Sequence, residues 1–191
     1  MKKITAIVLS LIMVVCAVCV FASCESSNKG YAAGAAGMTI NAERMEEVDF
    51  SHIYYSSTLV VVSAKDKNYS SVAGLSGLKV GVQEGTSGDL IISAAKTADG
   101  HTYVDYDEND NEITKTVKVD SATEVKQYKQ YALAFADLKA GRIDAILMDK
   151  LPAQTMLAAA DGADAYVAID ATDLLKEDFG IALKKGDDKF A

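Results

Sequence analysis

Lys79-Val-Gly-Val-Gln-Glu-Gly-Thr-Ser-Gly-Asp89 decides how the chain is to be read. Residues 79–82 form a strand-like run, Gly85-Thr86-Ser87-Gly88 breaks it, and helix-forming residues take over from 90 to 98. A strand that stops in a Gly/Thr/Ser turn at a helix start directs several backbone N–H groups at one point. The positive end of the helix dipole lies behind them, which makes an anion site. Thr86 and Ser87 can add hydroxyl donors. The same residues also suit an ordinary capped turn, so the rest of the chain must decide between the two.

Downstream, residues 101–106 and 112–119 alternate polar with β-branched or aromatic side chains around Asp107-Glu-Asn-Asp-Asn111, which predicts a β-hairpin. Residues 125–128 read as a strand and 132–140 as a helix able to pack Leu133, Phe135 and Leu138, ended by Gly141. The continuous apolar run 143–148 is of the kind buried on both faces of a parallel sheet. A helix over 151–160 and strands over 165–169 and 179–183 follow. Upstream, Asn41 caps a short helix over 41–48, and a β-rich run spans 58–63 before a polar connector over 65–77. Strands alternating with helices predict an α/β fold with a mostly parallel sheet.

The beginning of the chain reads differently. Lys2 and Lys3 precede an apolar run over 4–20, and small residues follow at Ala22-Ser23, the pattern of a secretory signal over residues 1–23. Phe21-Ala22-Ser23-Cys24 resembles a bacterial lipobox, in which the cysteine becomes the lipidated first residue and anchors the protein to the cell membrane. A polar tether over 24–35 would follow. Cys16 and Cys19 would leave with the signal, so Cys24 alone remains of three cysteines, and neither a disulfide within the chain nor a thiol cluster is available. Without Lys2 and Lys3 there are 17 basic against 27 acidic residues, a charge of −10. That disfavours nucleic acid as a partner, because neutralising phosphates needs a basic face.

In an open α/β sheet, ligands bind beyond the carboxyl ends of the strands. Two places meet that condition: the Gly85–Gly88 turn, and Asp149 at the end of the apolar strand. Asp149 also suits the N-cap of the next helix. A helix N-terminus for an anion beside a carboxylate for a cation matches the two charges of a free amino acid.

These segments resemble the type 3 extracytoplasmic solute-binding proteins of amino-acid ABC transporters. The matching stretches are Ala36-Gly-Met-Thr-Ile-Asn-Ala-Glu-Arg44 with Val48-Asp-Phe-Ser51, Val80 to Asp89, Ala140-Gly-Arg-Ile-Asp-Ala-Ile-Leu-Met-Asp149, and Glu177-Asp-Phe-Gly-Ile-Ala-Leu-Lys-Lys-Gly186. The resemblance implies a periplasmic-binding-protein fold and electrostatic capture of a polar amino acid between two lobes, with no catalytic step and no cofactor or metal. It implies transporter permease subunits as partners. Arg44 would clamp the ligand carboxylate with its planar fork, with contacts from Gly37 and Thr39. Thr86 and Ser87 would close from the other lobe, and Asp149 would hold the ammonium.

By the same resemblance, residues 36–63 and 181–191 belong to a first lobe of which only part is present. Residues 64–180 form a second lobe, with an acidic hairpin inserted at about 99–120. The runs 58–65 and 179–185 resemble the family's two interlobe crossovers. Two other readings stand beside capture: a remnant lipoprotein that no longer binds, and a cyclohexadienyl dehydratase-like enzyme, for which only Asp149 and Glu84 are candidate acid/base groups. Asp105, Asp107, Asn109 and Asn111 imitate the start of a calcium loop. Asp110 at the sixth position and Thr116 at the twelfth do not fit one, so a solvated acidic turn is expected. His52 and His101 have no recognisable nucleophile partner.

Overall fold

A computed structural model describes residues 33–106 and 111–186. In chain order the elements are β1 (Ala33–Thr39), α1 (Ala42–Glu47), β2 (Val48–Phe50), β3 (Tyr55–Ser57), β4 (Leu59–Ala64), β5 (Lys79–Gln83) and α2 (Ser87–Ala95). Then come β6 (His101–Tyr106), β7 (Glu112–Val117), β8 (Glu124–Tyr128), α3 (Tyr131–Lys139), β9 (Ala145–Asp149), α4 (Lys150–Ala159), β10 (Tyr166–Asp170) and β11 (Glu177–Lys184). The chain divides into two compact units, one of residues up to His52 and from Gly180 onward, the other Ile53–Phe179.

In the first unit β1 and β2 flank the last part of β11. β2 runs antiparallel to it, with Phe50 opposite Ala182 and Val48 opposite Lys184. Asn41 caps α1 as its sequence suggested, its side chain accepting the Arg44 N–H at 2.8 Å. The strand β1 begins inside the stretch that reads as a tether. Its Ala- and Gly-rich sequence has little strand preference of its own, and pairing with β11 supplies what the side chains do not.

The second unit is built on a five-stranded sheet of order β10-β4-β9-β5-β8. The α/β class holds, but the sheet is mixed rather than mostly parallel. β5 is parallel to β8 and β9, whereas β4 is antiparallel to both β9 and β10. Alternate residues serve opposite faces. Leu59, Val61, Val80, Val82, Ala145 and Leu147 pack with Ile92 and Ala95 of α2. On the other face Val60, Val62, Ile146 and Met148 pack with Phe135 and Leu138 of α3 and Ala153 of α4. Covering both faces explains why β4 and β9 read as unbroken apolar runs. Each fully buried Val, Leu or Ile contributes about 1.5–3 kcal/mol. β4, which resembles an interlobe crossover in sequence, is an inner strand of this sheet, and the chain leaves the first unit at His52.

The expected hairpin forms as β6 and β7, antiparallel from His101 opposite Val117 to Tyr106 opposite Glu112. It is tied down where the Tyr103 hydroxyl donates to the Asp173 carbonyl at 2.7 Å. Two of the calcium-loop imitators, Asp107 and Asn109, and the misfit Asp110 lie outside the described residues. No group of three or more His, Cys, Asp and Glu suited to a metal occurs among the described residues.

Candidate binding site

In the second unit, parallel pairing of β5 with β9 brings the turn after Gln83 and the carboxylate of Asp149 to the same edge of the sheet. α2 starts on that edge and lies close against β9. A Cβ on Gly88 would come within 2.8 Å of the Leu147 carbonyl oxygen, so only glycine permits this approach. Gly85, at φ +75°, makes the bend that precedes it.

The turn uses much of its own hydrogen-bonding capacity. Thr86 is the N-cap of α2 and accepts the Asp89 N–H. Asp89 reaches back to the Gly85 N–H at 3.0 Å, a variant of the capping box in Thr86-Ser-Gly-Asp89. The Thr86 N–H goes to the Gln83 carbonyl at 3.3 Å. The carboxylate of Asp89 is only 5% exposed. Both its oxygens take the Gln127 amide at 2.9 Å, and Ser93 donates to it at 3.3 Å, which supplies the partners a buried charge requires.

Of the two hydroxyls singled out in the turn, that of Thr86 is committed. It donates to the Gln83 carbonyl at 2.7 Å and accepts from Asp89 N–H at 3.5 Å and from the Tyr131 hydroxyl at 3.4 Å. A hydroxyl has one proton and two lone pairs, and all are in use. Ser87 is buried at the first position of the helix. Asp149 occupies the N-cap position of α4, but its side chain does not make the capping bond.

Tyr131, at the first position of α3, joins these groups and escaped sequence reasoning. Its phenol is pushed up to about 12, chiefly by burial and further by the charges of Asp149, Glu177 and Asp89, against which the Thr86 bond pulls it down. The phenol is therefore neutral at ordinary pH, in a setting with a negative field. The ring also borders a cavity of about 950 Å³ between α3 and α4, with Phe135, Leu151, Pro152 and Met156. Gln127, Tyr131 and Glu177 come from three separate elements and have no local motif. Asp89 was legible as the fourth residue of a T-x-x-D cap.

The first unit holds the other three candidates. Thr39 is buried at the end of β1, and Gly37, on the same strand, is exposed with φ +62°. Arg44, half-buried on α1, donates from Nη1 to the Thr39 carbonyl at 2.8 Å. So Arg44 and Thr39 meet within this unit, as Thr86 and Tyr131 do within theirs.

The model of the bacterial extracellular solute-binding proteins, family 3, matches residues 25–191. The chain belongs to that family. One relative is the ABC transporter arginine-binding protein 1 of Escherichia coli K12, 34% identical over 119 residues, which are 62% of this chain and 39% of that protein. Another is the L-arginine-binding protein of Pseudomonas aeruginosa, 30% identical over 159 residues, 81% of this chain and 53% of that one. Among solved structures, holo ArgBP from T. maritima aligns with a TM-score of 0.60 at 28% identity, over 83% of this chain and 57% of its own. An ancestral arginine-binding protein bound to arginine gives 0.62 at 29% identity, over 81% and 58%. The chain thus spans about half the length of these two curated relatives. They are named for what they bind, and none of these four is named as an enzyme.

Proposed function

We propose that this protein is the capture component of an amino-acid ABC transporter, anchored outside the cell membrane by a lipidated Cys24, with a cationic amino acid, L-arginine foremost, as its ligand. The observation that carries this reading is the sheet edge where the start of α2 and the carboxylate of Asp149 lie side by side on adjacent parallel strands. A helix N-terminus attracts an anion and a carboxylate a cation, which is the charge pattern of an α-amino acid. The negative field around Tyr131 and the kinship with arginine-binding proteins favour a ligand with additional positive charge. In this reading Arg44, Gly37 and Thr39 bind the ligand carboxylate, Thr86 and Ser87 add contacts to it, and Asp149 holds the ammonium. The permease subunits of the transporter receive the loaded protein.

Titration calorimetry of the purified protein against the twenty amino acids tests this. L-Arginine is expected to bind with micromolar affinity, and Arg44→Ala or Asp149→Asn to weaken it by about a hundredfold. A folded sample that releases no heat with any amino acid would overturn the proposal. Lipidation is checked separately: the protein from membranes should carry acyl groups that Cys24→Ala removes.

A further inference from the structure

We propose that Asn68 is an acceptor for an N-linked glycan, with Ser70 and Asp66 as the side chains by which a transferase recognises it. This inference rests on the reading of the protein as extracytoplasmic, because acceptor asparagines of this kind belong to surface loops of secreted proteins.

Asp66-Lys-Asn-Tyr-Ser70 holds the chain's single Asn-x-Ser/Thr triplet, with an acidic residue two places ahead of the asparagine. The triplet is the acceptor pattern when its middle residue is not proline, and it serves only where the segment can reach an enzyme. The second unit supplies such a segment between β4 and β5. The chain turns directly after β4, where the Lys67 N–H donates to the Ala64 carbonyl at 3.0 Å. Asn68, at φ +54°, is the one non-glycine residue in the left-handed region among the described residues, a conformation asparagine tolerates better than most. Residues 68–70 then run on without helix or strand.

Tyr69 packs against the core cluster that includes Val72, Leu75 and Ile92, so the middle residue of the triplet anchors the loop. Its neighbours Asn68 and Ser70 are both exposed. The next attachment runs through the backbone: the Ser70 carbonyl accepts the Thr172 N–H at 2.9 Å and the Thr172 hydroxyl at 3.0 Å. Amide and hydroxyl, the two groups the triplet is read by, therefore stand in solvent on a segment held in place beneath them. The Asp66 side chain is 72% exposed and meets Lys67 at 3.5 Å. Exposed pairs of this kind are weak, so giving that carboxylate to a cationic group of the transferase costs little.

The co-reactant is an oligosaccharide carried on a polyprenyl diphosphate. The Asn68 Nδ2–C1 bond to the sugar forms and the C1–O bond breaks. The lipid diphosphate leaves with that electron pair, and one Nδ2 proton passes to a base of the transferase.

The test incubates the full chain with a bacterial oligosaccharyltransferase and its lipid-linked oligosaccharide, and separately co-expresses them in a host whose transferase faces the periplasm. Mass spectrometry follows the tryptic peptide 68–79, which holds no second asparagine. That peptide should gain the mass of one oligosaccharide in both settings. The gain should vanish in Asn68→Gln and Ser70→Ala, and fall about tenfold in Asp66→Ala, as the loss of a charged contact predicts. All three side chains are exposed, and circular dichroism checks that each variant folds. No gain in either setting, while a control acceptor peptide is modified, overturns the inference alone, as does a gain that survives Ser70→Ala or is unchanged by Asp66→Ala. A gain in the purified system but not in the host means that the chain is not exported, and removes the extracytoplasmic reading together with the inference.

Discussion

Asp137, whose side chain is only 14% exposed, gathers donors from three side chains. Arg142 reaches its Oδ1 through Nε at 2.9 Å and Nη2 at 2.5 Å, while Lys126 at 2.5 Å and the Tyr128 hydroxyl at 2.6 Å share Oδ2. Arg142, then Lys126 and Tyr128, hold its carboxyl well below the ordinary 3.8. A carboxyl that is more acidic folded than unfolded stabilises the fold fully above the unfolded value, and loses that contribution as pH falls toward the folded one. Asp137→Asn should therefore lower the melting temperature at pH 7 by more than it does at pH 2, when followed by circular dichroism. An equal deficit at both pH values would sink the electrostatic account. At this scale the sequence was partly legible. Asp149 and the Thr86–Asp89 cap lie in local patterns, whereas Tyr131 and Gln127 matter only because separate elements bring them to Thr86 and Asp89. Nothing in the local sequence of either announces that.

At the scale of elements, α2 meets β9 backbone against backbone. Gly88 lies against the Leu147 carbonyl, where a methyl group would stand at 2.8 Å, so α2 must move away from β9 to admit one. Gly88→Ala should cost about 1–3 kcal/mol of stability, as overpacking does, and displace the N-terminus of α2. Urea unfolding measures the first and the loss of ligand affinity the second. A variant as stable and as competent as the original would show that the contact is slack. Most elements were readable from pattern: the Asn41 cap, the hairpin, and the helix that stops before Gly141, at φ +67°. Strand direction was not. Leu59-Val-Val-Val62 is an equally good buried run in a parallel or an antiparallel strand. Its sense comes from the connections around it, and these place it antiparallel between β9 and β10.

At the scale of the whole molecule, the segments that carry the family resemblance all fall within the matched residues 25–191. The fold class was legible because alternating elements with doubly buried strands leave few architectures open. The family resemblance assigned residues 36–63 and 181–191 to one lobe; one compact unit is drawn from both ends of the described chain, and no local signal marks where it gives way to the other. The contact between Gly88 and Leu147 has a consequence at this scale. It couples the start of α2 to the strand that ends in Asp149, so the two charged ends of the site keep a set separation. If the proposed site holds a ligand, it would act as a gauge for the distance between opposite charges on one small molecule. An α-amino acid would then be preferred over β-alanine and γ-aminobutyrate, which have one and two extra carbons between their charges. Neither should displace bound L-arginine in a competition titration, and displacement by either would show that the separation gives way.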